Sequence, residues 1–335
     1  MLMARRDIGT DDPRVRVRPA RSKPRRSKKQ VDYSASPTAF VFAVDRGRIH
    51  VQMGDTKLVG VKARALGRHG IVVGDQVRVT GDLSGKSGSL ARIVEVLPRQ
   101  TELTRSAEDS PGAKEKPMVA NANQMAIVTA CADPLPRPGM IDRLLVAAYC
   151  AGIEPLLLVT KSDLTSPEPL LELFRPLQVP SVVTSIESGE GLDEVAELLA
   201  GRVSVLVGHS GVGKSSLMNT LIPDAARSTG HVNQVTGRGR HTSTSVMALP
   251  YQDGWLIDTP GIRSFGLAHI SEEDLLAAFP DLAEVATRCP KLCPHLQSSP
   301  GCQLSSLEET DPAQERRVES FRRLLASQHS QNTLV

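Results

Sequence analysis

Val203-Ser204-Val205-Leu206-Val207-Gly208-His209-Ser210-Gly211-Val212-Gly213-Lys214-Ser215 is the stretch on which the fold turns. A short apolar run of strand character leads into G-x-x-x-x-G-K-[ST], and a helical pattern continues from Lys214 to about Leu221. In that context glycines let successive N–H groups turn inward around phosphate oxygens, at the positive end of a helix. The predicted cradle is Gly208, His209, Ser210, Gly211, Val212, Gly213, Lys214, Ser215 and Ser216. Lys214 supplies a point charge for the β- and γ-phosphates, and the Ser215 hydroxyl is a ligand for Mg²⁺. A near copy, Gly81-Asp82-Leu83-Ser84-Gly85-Lys86-Ser87, is one residue short and lies between strand-like segments, so it reads as a hairpin loop.

Working outward, buried strands are expected at 126–129, 155–159, 181–184, 203–207 and 255–257, with helices such as 141–151 and 192–199 between them. That alternation predicts a parallel sheet covered by helices on both faces. Asp258-Thr259-Pro260-Gly261 follows the last of these strands, where Asp258 can hold a Mg²⁺-bound water and the Gly261 N–H can meet the γ-phosphate. Between this run and the phosphate loop lies Gly237-Arg238-Gly239-Arg240-His241-Thr242-Ser243-Thr244, polar and hydroxyl-rich as a nucleotide-sensing loop requires. Thr242 is preferred to Thr244 as the residue completing the Mg²⁺ shell.

Thr160-Lys161-Ser162-Asp163 follows the strand at 155–159 and has the form [NT]-K-x-D. Its Asp163 carboxylate can meet guanine N1–H and the 2-amino group, a donor pair that adenine lacks, while the Lys161 stem covers the ring. Thr160 and Ser185 complete this set, with Thr184-Ser185-Ile186 offering backbone N–H groups to guanine O6. The base-reading loops precede the phosphate loop, an inverted order. All βα loops of a parallel sheet emerge at one edge, so a circular permutation leaves the site intact. It also leads the chain from Asp258 straight into the C-terminal segment, which hydrolysis can then move.

Before this region, strands at 39–44, 48–53, 58–63, 76–80 and 90–97 suggest a small closed barrel such as an OB-fold. Only Phe40 and Phe42 could stack bases there, and both also suit a core, so contacts to nucleic acid are expected from Arg46, Arg48, Lys62, Arg64 and Arg68. A barrel acting only as a spacer is the alternative. After residue 270 a helix begins with Ser271 as N-cap and Asp274 three residues on. A last helix over about 312–327 carries Val318, Phe321 and Leu325 on one face, with Arg316, Arg317, Arg322 and Arg323 around the others. Between these helices Cys289, Cys293, His295 and Cys302 supply three thiolates and an imidazole, a structural set for tetrahedral Zn²⁺. Cys131 and Cys150 sit in apolar surroundings and read as buried.

The chain has 335 residues, 40% apolar and 23% charged, an ordinary globular composition for two or three domains. Its net charge of +3 is unevenly spread: residues 1–30 hold eleven Lys/Arg against three Asp, leaving the remainder net acidic. Such a tail is expected to be disordered and to serve polyanions, most simply RNA, with a merely solubilising extension as the alternative. No apolar run is long enough for a membrane span, and Arg5 and Arg6 replace the apolar segment of a secretory signal.

The permuted order, the HTST loop, the run Asp258–Leu267, a preceding OB-like barrel and a following Cys/His cluster together resemble the ribosome small-subunit-dependent GTPase A family. Arg99-Gln100-Thr101-Glu102-Leu103-Thr104-Arg105, Ala120-Asn121 and Ile141-Asp142-Arg143 add to the likeness, which covers about residues 38–328. Thr160 in place of the commoner Asn, Ile186 in place of Ala, and Ser243 within the threonine run depart from the family pattern. The cysteine spacing departs as well, its first gap one residue shorter than usual and its last one longer.

The resemblance implies a cytoplasmic, monomeric GTPase that binds GTP and GDP, one structural Zn²⁺, Mg²⁺ with the nucleotide, and the 30S subunit with its 16S rRNA. It implies action late in 30S maturation, with hydrolysis stimulated by the subunit and coupled to release. Ile262 stands where many GTPases carry a water-orienting Gln, so intrinsic turnover is expected to be slow. His241 is the candidate for that role beside Lys214 and Thr242, and a loop histidine touching RNA or solvent is its alternative. A protein that holds GTP as an RNA-binding switch without useful hydrolysis, and an ATPase, are the rival functions. The expected organisation is a basic disordered tail (1–37), an OB-fold RNA-binding domain (38–104), a circularly permuted P-loop GTPase domain (105–270), a zinc-binding helical domain (271–328) and a short tail (329–335).

Overall fold

In β1 (Thr38–Asp45) both sets of alternating side chains are apolar, and the strand is buried on both sides. Ala39 and Val41 enter one core, Phe40 and Phe42 another. The computed structural model describes residues 32–67, 70–105, 116–223, 246–259, 271–308 and 311–332. The basic tail to residue 31, Arg68, the sensing loop with His241, Thr242, Ser243 and Thr244, and Gly261 with Ile262 lie outside the described residues.

On its Val41 side β1 joins β2 (Arg48–Met53), β3 (Thr56–Lys62), β4 (Gln76–Gly81) and β5 (Ala91–Val96). The order is β1-β2-β3-β5-β4, closed by pairing of β1 with β4. The β3–β5 pair is parallel and the others are antiparallel, which is the OB-fold barrel. Val41, Val51, Val77, Val79 and Ile93 fill it and are fully buried. The short phosphate-loop look-alike connects β4 to β5 as a hairpin, its Ser84 N–H bonded to Asp82 at 3.0 Å. A two-stranded ribbon of β6 (Glu102–Arg105) and β7 (Lys116–Ala120), absent from the sequence-based expectations, follows the barrel.

The second half of the sheet runs β10-β9-β8-β11-β13-β12. β8 (Gln124–Ala130), β9 (Glu154–Thr160), β10 (Ser181–Val183), β11 (Val203–Val207) and β13 (Gly254–Asp258) are mutually parallel. Every residue of β8 is buried, as expected for a strand covered on both faces. β12 (Met247–Tyr251) corrects the wholly parallel expectation: it runs antiparallel to β13 through a turn at Gln252 and Asp253. Pro250 inside β12 removes a ladder donor and masks the strand signal. β12 also pairs with β1 at Ala43↔Met247, so barrel and nucleotide-side strands share one eleven-stranded sheet.

Helices cover both faces of the parallel part. α1 (Pro138–Cys150) and α2 (Glu168–Phe174) pack on the Ile127, Leu157 and Val205 side. α3 (Leu192–Leu199) and α4 (Lys214–Leu221) pack on the Val128, Leu158 and Leu206 side. After β13 the described chain is helical: α5 (Glu272–Ala277), α6 (Pro280–Ala286), α7 (Leu304–Glu308) and α8 (Pro312–Asn332). Ser271 and Asp274 close the expected capping box of α5.

α8 buries Val318, Phe321, Leu324 and Leu325 against the α1 face. Its arginines do not simply cover the remaining faces. Arg323 Nε bonds both oxygens of the buried Asp142 carboxylate, at 3.0 and 3.2 Å, and its guanidinium lies 5.2 Å from the Phe174 ring centroid. Arg317 grips Asp281 and donates to Pro176 O at 2.9 Å. Arg322 donates to His295 O and Ser305. The helical segment is thereby fastened to the α1–α2 side of the sheet by charge as well as by apolar contact.

Candidate active site and metal cluster

Five parallel strands end at one edge, and each carries a segment singled out above. Cys131 follows β8, Thr160 ends β9 and Lys161-Ser162-Asp163 follow it, Thr184-Ser185 follows β10, Gly208 follows β11, and Asp258 ends β13. β11 lies between β8 and β13, so its connection to α4 opens at the place where the strand order reverses. That geometry, not proximity in sequence, assembles the site.

The phosphate loop is pressed against its neighbours. A Cβ on Gly208 would fall 2.1 Å from Val128 O, so only glycine permits this approach to β8. Gly213, with φ +95°, caps α4 and sets Lys214 and Ser215 in its first turn. Lys214 Nζ donates to the carbonyls of Gly208 and His209 at 2.7 Å each, which directs the ammonium along the inside of the loop. Burial lowers the Lys214 pKa, and the Asp258 carboxylate opposes that shift. Burial raises the Asp258 pKa, opposed by Lys214 and by the Thr259 N–H. Each charge thus offsets part of the other's desolvation. The Thr259 hydroxyl donates to Leu206 O at 2.6 Å and ties this turn to β11.

Thr160 occupies the joint between base loop and phosphate loop. Its side chain is buried, and Oγ1 donates toward Val212 O at 2.7 Å and Thr129 O at 3.2 Å. The hydroxyl therefore faces the phosphate loop instead of opening outward. Lys161, left-handed at φ +60°, reaches back to Asp133 O, while Asp163 accepts from the Ser185 hydroxyl at 2.6 Å. The Ser185 N–H donates to Glu190 O at 3.1 Å and is already engaged within its own loop.

Cys289, Cys293, His295 and Cys302 converge, their ligand atoms all within 4.8 Å of one another. His295 Nδ1 lies 3.7 Å from Cys289 Sγ and 3.8 Å from Cys302 Sγ. Bonds of about 2.3 Å to sulfur and about 2.0 Å to nitrogen around one tetrahedral zinc put N and S about 3.5 Å apart, so the set fits such an ion. Leu292, inside the first gap, and His295, after it, both have left-handed backbone conformations, with φ of +59° and +54°. The Gln303 N–H donates to Cys289 Sγ at 3.2 Å, which steadies a thiolate. Cys131 is buried as expected, whereas Cys150 is partly exposed, with burial of its thiol still pushing the pKa up to about 12.

Sequence reasoning passed over the joints. Arg99 holds the fully buried Asp75 by two bonds of 2.7 and 2.9 Å, and also Glu102 and Gly70 O. Asn121 accepts from Gln100 N–H and donates to Gly74 O. These bonds fasten the barrel to the strand leading into β8. The motif residues at 99–105, 120–121 and 141–143 were visible, but their partners stand at distant positions in the chain.

A model described as RsgA GTPase matches residues 96–268 of this chain. The chain is 38% identical over 309 residues to the small ribosomal subunit biogenesis GTPase RsgA of Pseudomonas fluorescens Pf-5, covering 88% of this chain and 87% of that protein. It is 42% identical over 267 residues to the protein of the same name from Ectopseudomonas mendocina ymp, covering 77% and 75%. Among solved structures, YjeQ from Thermotoga maritima superposes with a TM-score of 0.63 at 26% identity, over 86% of this chain and 98% of that one. YloQ, described as a circularly permuted GTPase, has a TM-score of 0.65 at 22% identity, over 88% and 96%, and is similar in fold.

Proposed function

Because the chain belongs to the RsgA GTPase family, we propose that it hydrolyses GTP on the small ribosomal subunit late in that particle's maturation. The subunit stimulates turnover, and hydrolysis triggers release. The observation that carries this reading is the meeting of base loop and phosphate loop at one sheet edge, joined by the Thr160–Val212 bond. A base-selecting carboxylate and a phosphate cradle held at fixed separation suit one guanine nucleotide.

In this reading Asp163 accepts from guanine, Lys161 covers the ring, and Ile186 N–H meets O6. The amides of 208–216 and Lys214 hold the phosphates. Ser215 and Thr242 would hold the Mg²⁺ that accompanies the nucleotide, with Asp258 supporting its shell, and the ion would supply positive charge against the phosphates. The Gly261 N–H contacts the γ-phosphate, and His241 orients the attacking water. Cys289, Cys293, His295 and Cys302 hold one structural Zn²⁺ with no open position.

For the barrel, strand register places Arg48 beside Val61 and Val61 beside Arg92, so two exposed arginines share one face. Together with exposed Arg46, Lys62 and Arg64 they offer backbone contacts to 16S rRNA. Phe40 and Phe42 are buried and stacked on Trp255, which removes them as base platforms. The protein acts as a cytoplasmic monomer, and no helix among the described residues is long and apolar enough to cross a membrane.

Multiple-turnover hydrolysis with and without 30S subunits, and pelleting with 30S particles in GDP or a non-hydrolysable GTP analogue, test the proposal. Strong stimulation and analogue-dependent pelleting are expected. Unstimulated turnover would favour a passive GTP-binding switch, and nucleotide-insensitive pelleting would remove the coupling to release.

A further inference from the structure

Two acidic residues shape the base loops. Asp163 accepts from Ser185, as described, and Glu190 engages both loops at once. Its carboxylate accepts from the Ser162 hydroxyl at 2.6 Å, and its carbonyl accepts the Ser185 N–H at 3.1 Å. Ser162 stands between Lys161 and Asp163, so this bond restrains the residue beside the base-reading carboxylate. The Ser162 N–H also reaches Thr184 O at 3.3 Å, a second link between the same loops.

Glu190 is itself held in place. Its N–H bonds Ser188 Oγ at 3.4 Å, and the neighbouring Gly191 has φ +68°. A Cβ on Gly191 would fall 2.0 Å from Val183 O, so the backbone is pressed against the end of β10 where only glycine fits. The Cys131 thiol has its pKa raised by burial first and then by the charges of Asp163 and Glu190.

We propose that Glu190 is a positioning residue for base selection: by bonding Ser162 it fixes Asp163 against the Ser185 loop and sharpens the preference for guanine. It acts through Ser162 and Asp163 without touching the base. The inference rests on the reading of Asp163 as the base-reading group. A base that lacks the 2-amino group offers Asp163 one donor instead of two, so the strength of discrimination reports how well the carboxylate is aimed.

The test is calorimetric binding of GDP and IDP to the full-length protein with Mg²⁺, for wild type, Glu190→Ala, Glu190→Gln, Ser162→Ala, the double variant of Glu190→Ala with Ser162→Ala, and Asp163→Asn. Loss of one positioning hydrogen bond predicts a fall of about fivefold in the GDP-over-IDP preference for Glu190→Ala. Ser162→Ala matches it, the double variant falls no further, and Glu190→Gln keeps the preference because its amide oxygen still accepts. An unchanged ratio in Glu190→Ala, an equal weakening of both nucleotides, or a Glu190→Gln as impaired as Glu190→Ala overturns the inference. Should Glu190→Ala fail to fold, Ser162→Ala removes the same bond from the other side and decides the matter. Asp163→Asn separates the two layers: if it retains the preference, the reading of Asp163 fails and the inference with it. If it loses the preference while Glu190→Ala does not, the inference alone fails.

Discussion

Trp255 lies face to face with Phe40, ring centroids 4.3 Å apart and planes 17° from parallel. Phe42 flanks the same indole at 6.4 Å. The stack joins β13, three residues before Asp258, to the barrel strand β1, so the barrel is packed directly against the strand that leads to the phosphate site.

Replacing Trp255 by Ala removes this contact and leaves a cavity, at a cost of about 3 kcal/mol. Denaturant melts followed by circular dichroism are expected to show one transition at a lower midpoint. A barrel melting apart at unchanged overall midpoint would count against the packed joint. Trp255 is the only tryptophan, so its wild-type emission reports the same contact without a label.

Thr160→Val keeps the shape and strips the hydroxyl from Val212 O and Thr129 O. Buried carbonyls left without a donor cost about 1–3 kcal/mol. GDP affinity is expected to fall roughly tenfold, with Thr160→Ser close to wild type. Equal affinities for Thr160→Val and wild type would mean that the joint does not hold the loops for binding.

Metal analysis is expected to find one zinc per chain. Cys302→Ser or chelation leaves half-buried thiols and an imidazole without their common partner and loosens the loop between α6 and α7. Hydrogen exchange then rises in residues 280–308 while the barrel strands keep their protection. Uniform exposure across the chain would refute a local staple.

Acid acts on the helical segment in a calculable direction. The Asp281 carboxyl lies below its usual 3.8 chiefly through the hydrogen bond from Arg317, and Asp274 lies below it through its bonds with Ser271. A pKa depressed by folding contributes stability that is complete above 3.8 and lost as pH falls through the folded value. Asp142 and Asp258, raised by burial, act in the opposite sense in a window above 3.8. Asp281→Asn is therefore destabilised relative to wild type near neutral pH, and the gap closes as pH drops below 3.8. Urea midpoints at about pH 7 and about pH 3 check this; a gap that stays constant excludes the ion pair as its source.

Much of this arrangement was legible in advance because the signals are local. Val203–Val207 running into glycines, alternation in β2, and Ser271 with Asp274 each depend on neighbours a few residues apart. β12 was missed because Pro250 speaks against a strand, and its pairing with Ala43 links positions some two hundred residues distant. The joint made by Thr160 was hidden for a similar reason: nothing local in a T-K-x-D run says that the fold brings Val212 O beside its hydroxyl. Helical spacing puts Arg317 and Arg323 off the apolar face of α8, and only the packing of that helix shows that they face Asp281 and Asp142.

The double duty of β1 bears on how the chain is made. Its barrel partners all lie within residues 38–96 and can close soon after synthesis begins. The Phe40 and Phe42 face must then wait, greasy and uncovered, until β12 and β13 emerge from the ribosome. For that interval the nascent chain carries an adhesive stripe, and a holding chaperone would be drawn to it first.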